Sequence, residues 1–230
     1  MGWNKGYTKH THPSVLKISR TMRRKKIDNF ARWRDEMKRL GKIKAIYPEL
    51  KKNGDLAELI GVILGDGYLG KFPRSEVLRI VSNANNPGFI KRYAILTERV
   101  FKKKPYVSKR KKSNGVDITI YEKNISKRLK IPIGSKKDKK FAIPKWILKN
   151  KEYLIRYLRG LYEAEGSFCI HRATYTFKFL FANRNKSLLK NVYQALKTLR
   201  FNPHISKDKI QISRKNEVCK IKDLIKFRKY

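Results

Sequence analysis

Two nine-residue stretches decide the fold of this chain: LIGVILGDG at residues 59–67 and LRGLYEAEG at residues 158–166. In both stretches a small residue recurs after four positions, first as Gly61 and Gly65 and then as Gly160 and Ala164. Positions four apart lie on one helix face, so small side chains there let two helix backbones approach closely. Each stretch therefore predicts a short helix that packs against the other.

Each predicted helix ends in an acid followed by a glycine, Asp66-Gly67 and Glu165-Gly166. Glycine is a common helix stop because it accepts the left-handed conformation. If the helices pack in parallel, the two carboxylates meet at the same end. They would repel each other there, and the helix dipoles would also favour a cation. The pattern predicts a two-carboxylate metal site suited to phosphodiester chemistry.

At these residues the chain resembles the LAGLIDADG homing endonucleases, in their single-chain, two-motif form. The first motif departs from the family name at Leu64, which stands where an acid is expected, whereas the second has Glu163 at that place. Glu163 would point to a different helix face from Glu165, as a supporting or salt-bridging residue. The resemblance covers about residues 56–228.

Each motif is followed by the same order of patterns, which indicates an internal repeat. PYVS at residues 105–108 matches PHIS at residues 203–206, for example. The prediction is an α+β fold of two pseudo-symmetric αββαββα units packed through the motif helices, with antiparallel sheets forming a DNA-binding saddle. The predicted domains are an N-terminal extension (1–55), a first repeat (56–131), a linker (132–150) and a second repeat (151–230).

The N-terminal extension is basic and differs from the repeats. Helices are predicted from His12-Pro13 and over Ile27 to Leu40, with Gly41 as the stop of the second. Asn4-Lys5-Gly6 and Lys17-Ile18-Ser19 resemble a modular DNA-binding motif found beside homing endonuclease domains. The alternative is a basic extension whose amphipathic helix packs on the core. Asp55 is the expected N-cap of the first motif helix.

The charge balance points to a polyanionic partner. The chain carries 58 Lys and Arg against 18 Asp and Glu, a net charge of +40. Nucleic acid is the natural partner for such a surface, although a ribosome-associated protein would also be basic. The 26 aromatic residues (12 Tyr, 11 Phe, 3 Trp) indicate that most of the chain folds.

The resemblance implies metal-dependent hydrolysis of both strands of double-stranded DNA, with Mg²⁺ or Mn²⁺. It implies metal-binding acids at Asp66 and Glu165, with Gly65 and Ala164 beside them at the metal site. The other positions that it implies as catalytic are Asn83, Asn183 and Arg184. The alternative for the two asparagines is a purely structural role in the turn that precedes a helix. Ala84 stands where Arg184 stands in the second repeat. If a basic residue is required on that side, either Lys71 supplies it or one strand is cleaved more slowly.

Within the predicted saddle, polar positions of the strands and their connections are expected to contact bases and phosphates. These are Arg79, Lys109, Thr119, Arg172, Thr176, Lys178, Gln211 and Arg214. The alternative for any one of them is an ordinary solvated sheet face.

The remaining features set the context. Cys169 and Cys219 form no CxxC pair, and the four histidines have no metal-ligand spacing, so a zinc site is not expected. No apolar run is long enough to cross a membrane. The sequence thus predicts a monomeric, cytoplasmic or nucleoid-associated homing endonuclease. The alternative is a catalytically inactive protein on the same fold, such as an intron RNA maturase or a DNA-binding regulator.

Overall fold

The computed structural model describes residues 5–230, and these form two compact units, residues 5–47 and residues 48–230. Residues 1–4, which include part of the predicted N-terminal arm, lie outside the described part of the chain. The first unit contains helix α1 (Pro13–Arg24) and helix α2 (Ala31–Arg39). Neither helix has a buried residue.

The first unit corrects one predicted boundary. Helix α2 begins at Ala31 rather than at Ile27. Lys26 adopts a left-handed backbone with φ of 51°, and the Asp28 carboxylate accepts a hydrogen bond from the Phe30 N–H at 3.1 Å. The chain therefore turns over residues 25–30 before α2 starts. Helix α1 begins as predicted, because His12 Nδ1 accepts from the Ser14 N–H and Pro13 occupies the first turn.

The second unit contains two repeats of one strand-and-helix order, which confirms the predicted α+β fold class. The first repeat comprises α3 (Gly54–Asp66), β1 (Gly67–Lys71), β2 (Glu76–Asn83), α4 (Pro87–Phe101), β3 (Tyr106–Lys109), β4 (Gly115–Glu122) and α5 (Ile125–Leu129). The short helix α6 (Lys145–Leu148) precedes the second repeat, which comprises α7 (Lys151–Glu165), β5 (Gly166–His171), β6 (Thr176–Ala182), α8 (Lys186–Thr198), β7 (His204–Ile205), β8 (Lys209–Ile212) and α9 (Lys215–Leu224).

Each repeat builds one antiparallel four-stranded sheet, in the orders β1-β2-β4-β3 and β5-β6-β8-β7. One face of each sheet packs on helices. In the first repeat this face carries Ile80 paired with Ile118, and in the second it carries Phe181 paired with Ile210, all of them buried. Strand alternation leaves the opposite face of each sheet for solvent or a ligand.

The motif helices α3 and α7 pack in parallel through their small residues. A Cβ at Gly61 would lie 2.3 Å from the Tyr157 carbonyl oxygen, and a Cβ at Gly160 would lie 2.1 Å from the Glu58 carbonyl oxygen. The two backbones are therefore in direct contact, and each glycine is needed by the other helix. The two motif helices therefore form the contact that holds the two repeats together.

Two details of the predicted motif helices change. Helix α3 is capped by Asn53, whose Oδ1 accepts from the Leu56 N–H at 2.9 Å, and Asp55 instead pairs with Arg156 at 2.5 Å. The glycines after the acids are extended, with φ of −83° at Gly67 and −89° at Gly166, rather than left-handed. They are required by space, because a Cβ at Gly67 would lie 2.5 Å from the Ile63 Cα.

A segment between the repeats, residues 136–141, lies on helix α8 and contains a turn at residues 137–138; we call it the strap. Asn185 Nδ2 donates to the Lys136 and Lys139 carbonyls at 2.7 and 2.8 Å. Ser187 Oγ accepts from the Phe141 N–H at 2.9 Å, and Asn191 Nδ2 donates to the Phe141 carbonyl at 3.2 Å. The strap fixes the main chain at the point where it passes the motif helices.

Candidate metal and nucleic-acid site

The acids that end the two motifs lie together. Asp66 is the last residue of α3 and Glu165 is the last residue of α7. A Cβ at Gly65 would lie 2.4 Å from the Ala164 Cβ and 3.2 Å from the Glu165 Cγ, so the helix ends are in contact. Because the two helices pack in parallel, one carboxylate from each repeat lies at their shared C-terminal end.

Both carboxyl groups hold their protons more tightly than usual. Burial and, to a smaller extent, the neighbouring Glu165 raise the pKa of Asp66 to about 7, with Lys136 opposing the rise. Burial also raises the pKa of Glu165, which Lys136 and a hydrogen bond from Asn183 counteract. The pKa values of two neighbouring, partly buried carboxyl groups rise because burial and mutual repulsion both disfavour the ionised forms.

Lys136 is the residue beside this pair that sequence reasoning missed. Its Nζ donates to the carbonyl oxygens of Ile63, Leu64 and Gly65 at 2.6, 2.8 and 2.8 Å, so it caps the C-terminal turn of α3. Burial lowers the pKa of Lys136 to about 8, although both acids act in the opposite direction. The sequence signal was only a basic run between the repeats, and no spacing distinguished Lys136 from its neighbours.

Lys136 also replaces Lys71 as the basic group on the side of Asp66. Lys71 is exposed at the far end of β1, opposite Glu76. Four residues of strand separate it from the acid-bearing helix end, roughly 13 Å at the usual rise per residue. The ammonium that faces Asp66 therefore comes from the strap rather than from the first repeat's own hairpin.

The two predicted asparagines occupy unequal surroundings. Asn183 Nδ2 donates to Glu165 Oε1 at 3.1 Å, and its Oδ1 accepts from the Asn185 N–H at 2.8 Å. Asn83 Oδ1 accepts from the Asn85 N–H at 2.9 Å and from Asn114 Nδ2 at 3.0 Å. Both therefore form the turn before a helix, but within residues 5–230 only Asn183 is seen to bond to a motif acid.

Arg184 lies in the same open cleft as Glu165. The cleft has a volume of about 520 Å³ and is also lined by Lys136, Asn183 and Asp208. Arg184 is exposed there, whereas Ala84 offers the first repeat no charge at the matching place. The basic groups around the two acids are thus supplied differently by the two halves.

Glu163 faces away from the acid pair. It is only 5% exposed, and its Oε1 accepts from the Arg228 N–H at 2.6 Å. Its Oε2 accepts from the Tyr230 hydroxyl. Glu163 therefore anchors the end of the described chain on helix α7.

The first repeat's open sheet face carries two of the predicted DNA contacts. Arg79 pairs across the strands with Thr119, and both lie opposite to the buried isoleucine face. Thr119 is only 4% exposed, however, so its predicted contact with DNA is not supported, and Arg79 is the accessible one of the two. Lys109, by contrast, pairs with the buried Val116, so the structure does not place it on the Arg79 face. Asp117 on the open face pairs with Arg79 at 3.7 Å, which partly neutralises that arginine.

The second repeat presents three of the predicted contacts on one face. Thr176 and Lys178 alternate with the buried phenylalanines of β6, and Gln211 pairs with Leu180 on the same side. Arg172 lies in the turn after β5, and Arg214 precedes α9, where it approaches Glu217 at 3.5 Å. A polar, net positive sheet face of this kind can bind phosphates and base edges.

The donor set fits a hard divalent cation. No cluster of three His, Cys, Asp or Glu side chains that could hold a metal occurs within residues 5–230, so zinc-type coordination is not offered. Mg²⁺ is commonly held by one or two carboxylates and keeps several waters, which matches Asp66 and Glu165. The raised pKa values of Asp66 and Glu165 indicate that the negative charge of the ionised pair is poorly compensated, and a bound divalent ion would compensate it. The Gly65 carbonyl already accepts from Lys136, so that predicted ligand is engaged.

The chain resembles known proteins in both sequence and fold. A family model described as a LAGLIDADG-like domain matches residues 152–230. I-DmoI in complex with DNA and Mn has a TM-score of 0.53 and 20% identity, over 75% of this chain and 96% of that chain. The chain is a two-repeat LAGLIDADG-fold protein. The suspected family resemblance is thereby confirmed for the second repeat by its sequence and for the pair of repeats by their fold.

Two further proteins resemble parts of this chain. The N-terminal LAGLIDADG domain of DUF199/WhiA has a TM-score of 0.50 and 17% identity, over 78% of this chain and 86% of that chain. The replication factor C small subunit of Methanocaldococcus jannaschii is 30% identical over 122 residues, 53% of this chain. This chain spans 6% of that relative, so the likeness concerns a small part of it.

Across residues 5–230 no helix is both long and apolar enough to span a membrane. Cys169 and Cys219 are both free thiols, and both are exposed.

Proposed function

We propose that this LAGLIDADG-fold chain is a site-specific endonuclease that hydrolyses both strands of double-stranded DNA with Mg²⁺ or Mn²⁺. The observation that carries the proposal is the meeting of Asp66 and Glu165 at the ends of two helices in direct contact. I-DmoI, which shares the fold, has been solved with DNA and Mn and with DNA and Ca. Since each repeat supplies one acid, a monomer contains the complete pair.

Different residues of the chain would bind the metal ion, orient a carboxylate and stabilise the developing charge. Asp66 and Glu165 would hold the ion, which when bound would polarise a phosphoryl oxygen and lower the pKa of a water. Asn183 orients the Glu165 carboxylate through its 3.1 Å hydrogen bond. Lys136 and Arg184 place positive charge at the rim of the cleft, where charge develops on the phosphate in the transition state.

The open sheet faces would bind the duplex on either side of this centre. We assign base and phosphate contacts to Arg79 in one repeat and to Thr176, Lys178 and Gln211 in the other. Arg172 and Arg214 flank the second sheet and would contact phosphates. The net charge of +40 would make affinity fall steeply with salt, because each neutralised phosphate releases counterions.

The first unit, residues 1–47, would be a DNA-binding extension of this enzyme. Its two helices bury no residue, and Trp33 and Phe30 are 55% and 65% exposed. Exposed aromatic residues among basic ones are a usual composition for a nucleic-acid surface. We propose that the protein acts where its DNA target is, in the cytoplasm or nucleoid.

The test is cleavage of a randomised duplex library, with Mg²⁺ and then with Ca²⁺, by the wild type, Asp66→Asn and Glu165→Gln. The proposal expects cuts at one enriched sequence with Mg²⁺, and loss of cutting in both variants with site binding retained. Both variants remove a charge but keep the shape of the side chain. Normal cutting by both would refute the assigned roles.

A second candidate is a non-cutting nucleic-acid-binding protein on the same fold, such as a DNA-binding regulator or an intron RNA maturase. The observation that favours it is Lys136, whose ammonium already lies beside the acids and occupies the Gly65 carbonyl. This candidate expects selective binding of one duplex or RNA without strand breakage in either Mg²⁺ or Mn²⁺. The same library experiment, scored for retention as well as cutting, separates the two.

A further inference from the structure

The two acids keep most of their carboxylate oxygens available for a cation. Asn183 Nδ2 donates to Glu165 Oε1 at 3.1 Å, and no donor to Glu165 Oε2 is seen within residues 5–230. Over the same residues, Asp66 shows neither a hydrogen bond nor an ion pair. Since hard divalent ions prefer oxygen ligands, both Asp66 oxygens and Glu165 Oε2 are open to such an ion.

Lys136 binds the end of α3 through carbonyl groups and not through the acids. Its Nζ donates to three consecutive carbonyl oxygens, those of Ile63, Leu64 and Gly65, at 2.6, 2.8 and 2.8 Å. These bonds use all three N–H groups of the ammonium. In the described part of the chain, Lys136 accordingly forms no ion pair with Asp66 or Glu165. The ammonium therefore occupies the carbonyl beside the first acid and leaves the acid itself open.

The end of α7 has no corresponding ammonium. Ala164 is the counterpart of Gly65, and no side chain among residues 5–230 is seen to donate to its carbonyl oxygen. Arg228 Nη2 donates at 3.5 Å to the carbonyl of Gly166, which follows the acid rather than preceding it. The repeats thus offer two carbonyl–carboxylate pairs, and the carbonyl of only one of them is bound to a lysine.

The position of Lys136 disfavours a metal ion at the same carbonyl. Asn185 Nδ2 donates to the Lys136 carbonyl at 2.7 Å, so the strap fixes the main chain of this lysine on α8. An Mg²⁺ ion binds oxygen at about 2.1 Å, so an ion on the Gly65 oxygen would lie within about 5 Å of the ammonium. The two positive charges would repel each other. An ion on the Ala164 oxygen would share that oxygen with no ammonium.

We propose that the acid pair takes one divalent ion, held by Asp66, Glu165 and the Ala164 carbonyl, and that the Lys136 ammonium takes the place of a second ion at the Gly65 carbonyl. The inference rests on the proposed function, because it concerns the ion of the same acid pair. Hydrolytic sites with two ions place them about 3.5–4 Å apart, on the attacking and the leaving oxygen. Here one of those two positive charges belongs to the protein.

The test counts the Mn²⁺ ions bound by the full chain, from the electron paramagnetic resonance signal of the free ion during a titration at pH 7. Lys136→Met removes the charge and the donors, whereas Lys136→Gln removes the charge but keeps an N–H donor for the helix end. Lys137→Met is the matched control, because Lys137 is exposed and lines the same cleft. The double variant Asp66→Asn/Glu165→Gln measures ions bound elsewhere, and these are subtracted.

We expect one ion at the acid pair in the wild type and in Lys137→Met. We expect two in Lys136→Met and in Lys136→Gln, because the Gly65 carbonyl and Asp66 then bind a second ion without a neighbouring ammonium. Melting temperatures show which variants fold. Lys136→Gln carries the test if the loss of all three donors unfolds Lys136→Met.

Two ions in the wild type would overturn the proposal, as would none, or a single ion in a folded Lys136 variant. The count does not depend on cleavage. If no duplex is cut but the wild type binds one ion and the Lys136 variants bind two, the endonuclease function fails and this assignment stands. If the wild type cuts DNA and binds two ions, the function stands and the role of Lys136 as a second cation is wrong.

Discussion

Lys136 Nζ donates a hydrogen bond to the Gly65 carbonyl oxygen at 2.8 Å, directly before Asp66 in the chain. A residue from between the repeats therefore completes the end of the first motif helix. The contact both satisfies helix-terminal carbonyls and places a cation beside two acids. It links the strap to the candidate catalytic centre.

Replacing Lys136 by methionine should lower DNA cleavage by roughly 10²–10³-fold, because a positioned cation is lost where phosphate charge develops. Lys137→Met is the matched control, since Lys137 is exposed, lines the same cleft and keeps its main-chain contact with Asn185. Single-turnover cleavage and target binding are the measurements. Equal cleavage by the two variants would show that Lys136 has only a capping role.

Asp66 should make the stability of the metal-free protein depend on pH. Its pKa of about 7 exceeds the unfolded value of 3.8, so the folded state holds the proton more tightly. The stabilisation is fully present below pH 3.8 and is lost as the pH rises through 7. We expect the free energy of unfolding of Asp66→Asn to be about 2 kcal/mol larger than that of the wild type at pH 8, allowing for solvent screening. At pH 3.5 the two free energies should be equal.

Urea unfolding of both proteins in chelator-treated buffer at several pH values measures this difference. Adding Mg²⁺ should stabilise the wild type at pH 8 but not Asp66→Asn, if the ion binds the ionised pair. A difference between the two proteins that stays constant from pH 3.5 to 8 would contradict the raised pKa.

Replacing Gly61 by alanine should destabilise the second unit by about 3 kcal/mol or more, because the new methyl group meets a backbone oxygen that cannot move aside easily. That oxygen, of Tyr157, lies 2.3 Å from the Cβ position. Gly54→Ala at the start of the same helix is the control, since its nearest neighbour, Arg156 Cγ, is at an ordinary 3.4 Å. Comparable melting temperatures for the two variants would refute direct backbone packing.

Asn183→Ala should impair cleavage more than Asn83→Ala does. Both variants lose the turn hydrogen bond that the asparagine Oδ1 accepts from the Asn185 or Asn85 N–H. Asn83→Ala also loses the hydrogen bond from Asn114 Nδ2, so a turn defect alone would not make Asn183→Ala the more impaired variant. Asn183→Ala also removes the donor to Glu165. A supercoiled plasmid carrying the target should accumulate nicked product about tenfold more with Asn183→Ala, since one carboxylate loses its orientation. Equal nicking by the two would remove Asn183 from the positioning role.

Deleting residues 1–47 should leave residues 48–230 folded and weaken DNA binding. The two units are separately compact, so the melting temperature of the second should change little. Loss of the basic helices should reduce the slope of log affinity against log salt, because fewer phosphates are neutralised. Failure of residues 48–230 to fold, or an unchanged salt slope, would show that the extension has another role.

The sequence alone determined the parts that depend on local patterns. Small residues four apart, acids at helix ends and alternating strands predicted the paired repeats and the meeting of Asp66 with Glu165. Each of these features depends on a few neighbouring positions, and each occurs twice because the chain contains two repeats. Helices α3 and α7 formed over the two predicted motif stretches for this reason.

The tertiary structure alone decided which residues surround the acids. Lys136 is 70 positions from Asp66 and Asn183 is 18 from Glu165, and only the strap and the hairpins bring them close. The glycines after the acids are needed because Ile63 and Tyr162 leave no space for a Cβ, which no local rule showed. Long-range contacts and packing distances depend on the whole chain, so local sequence patterns did not contain them.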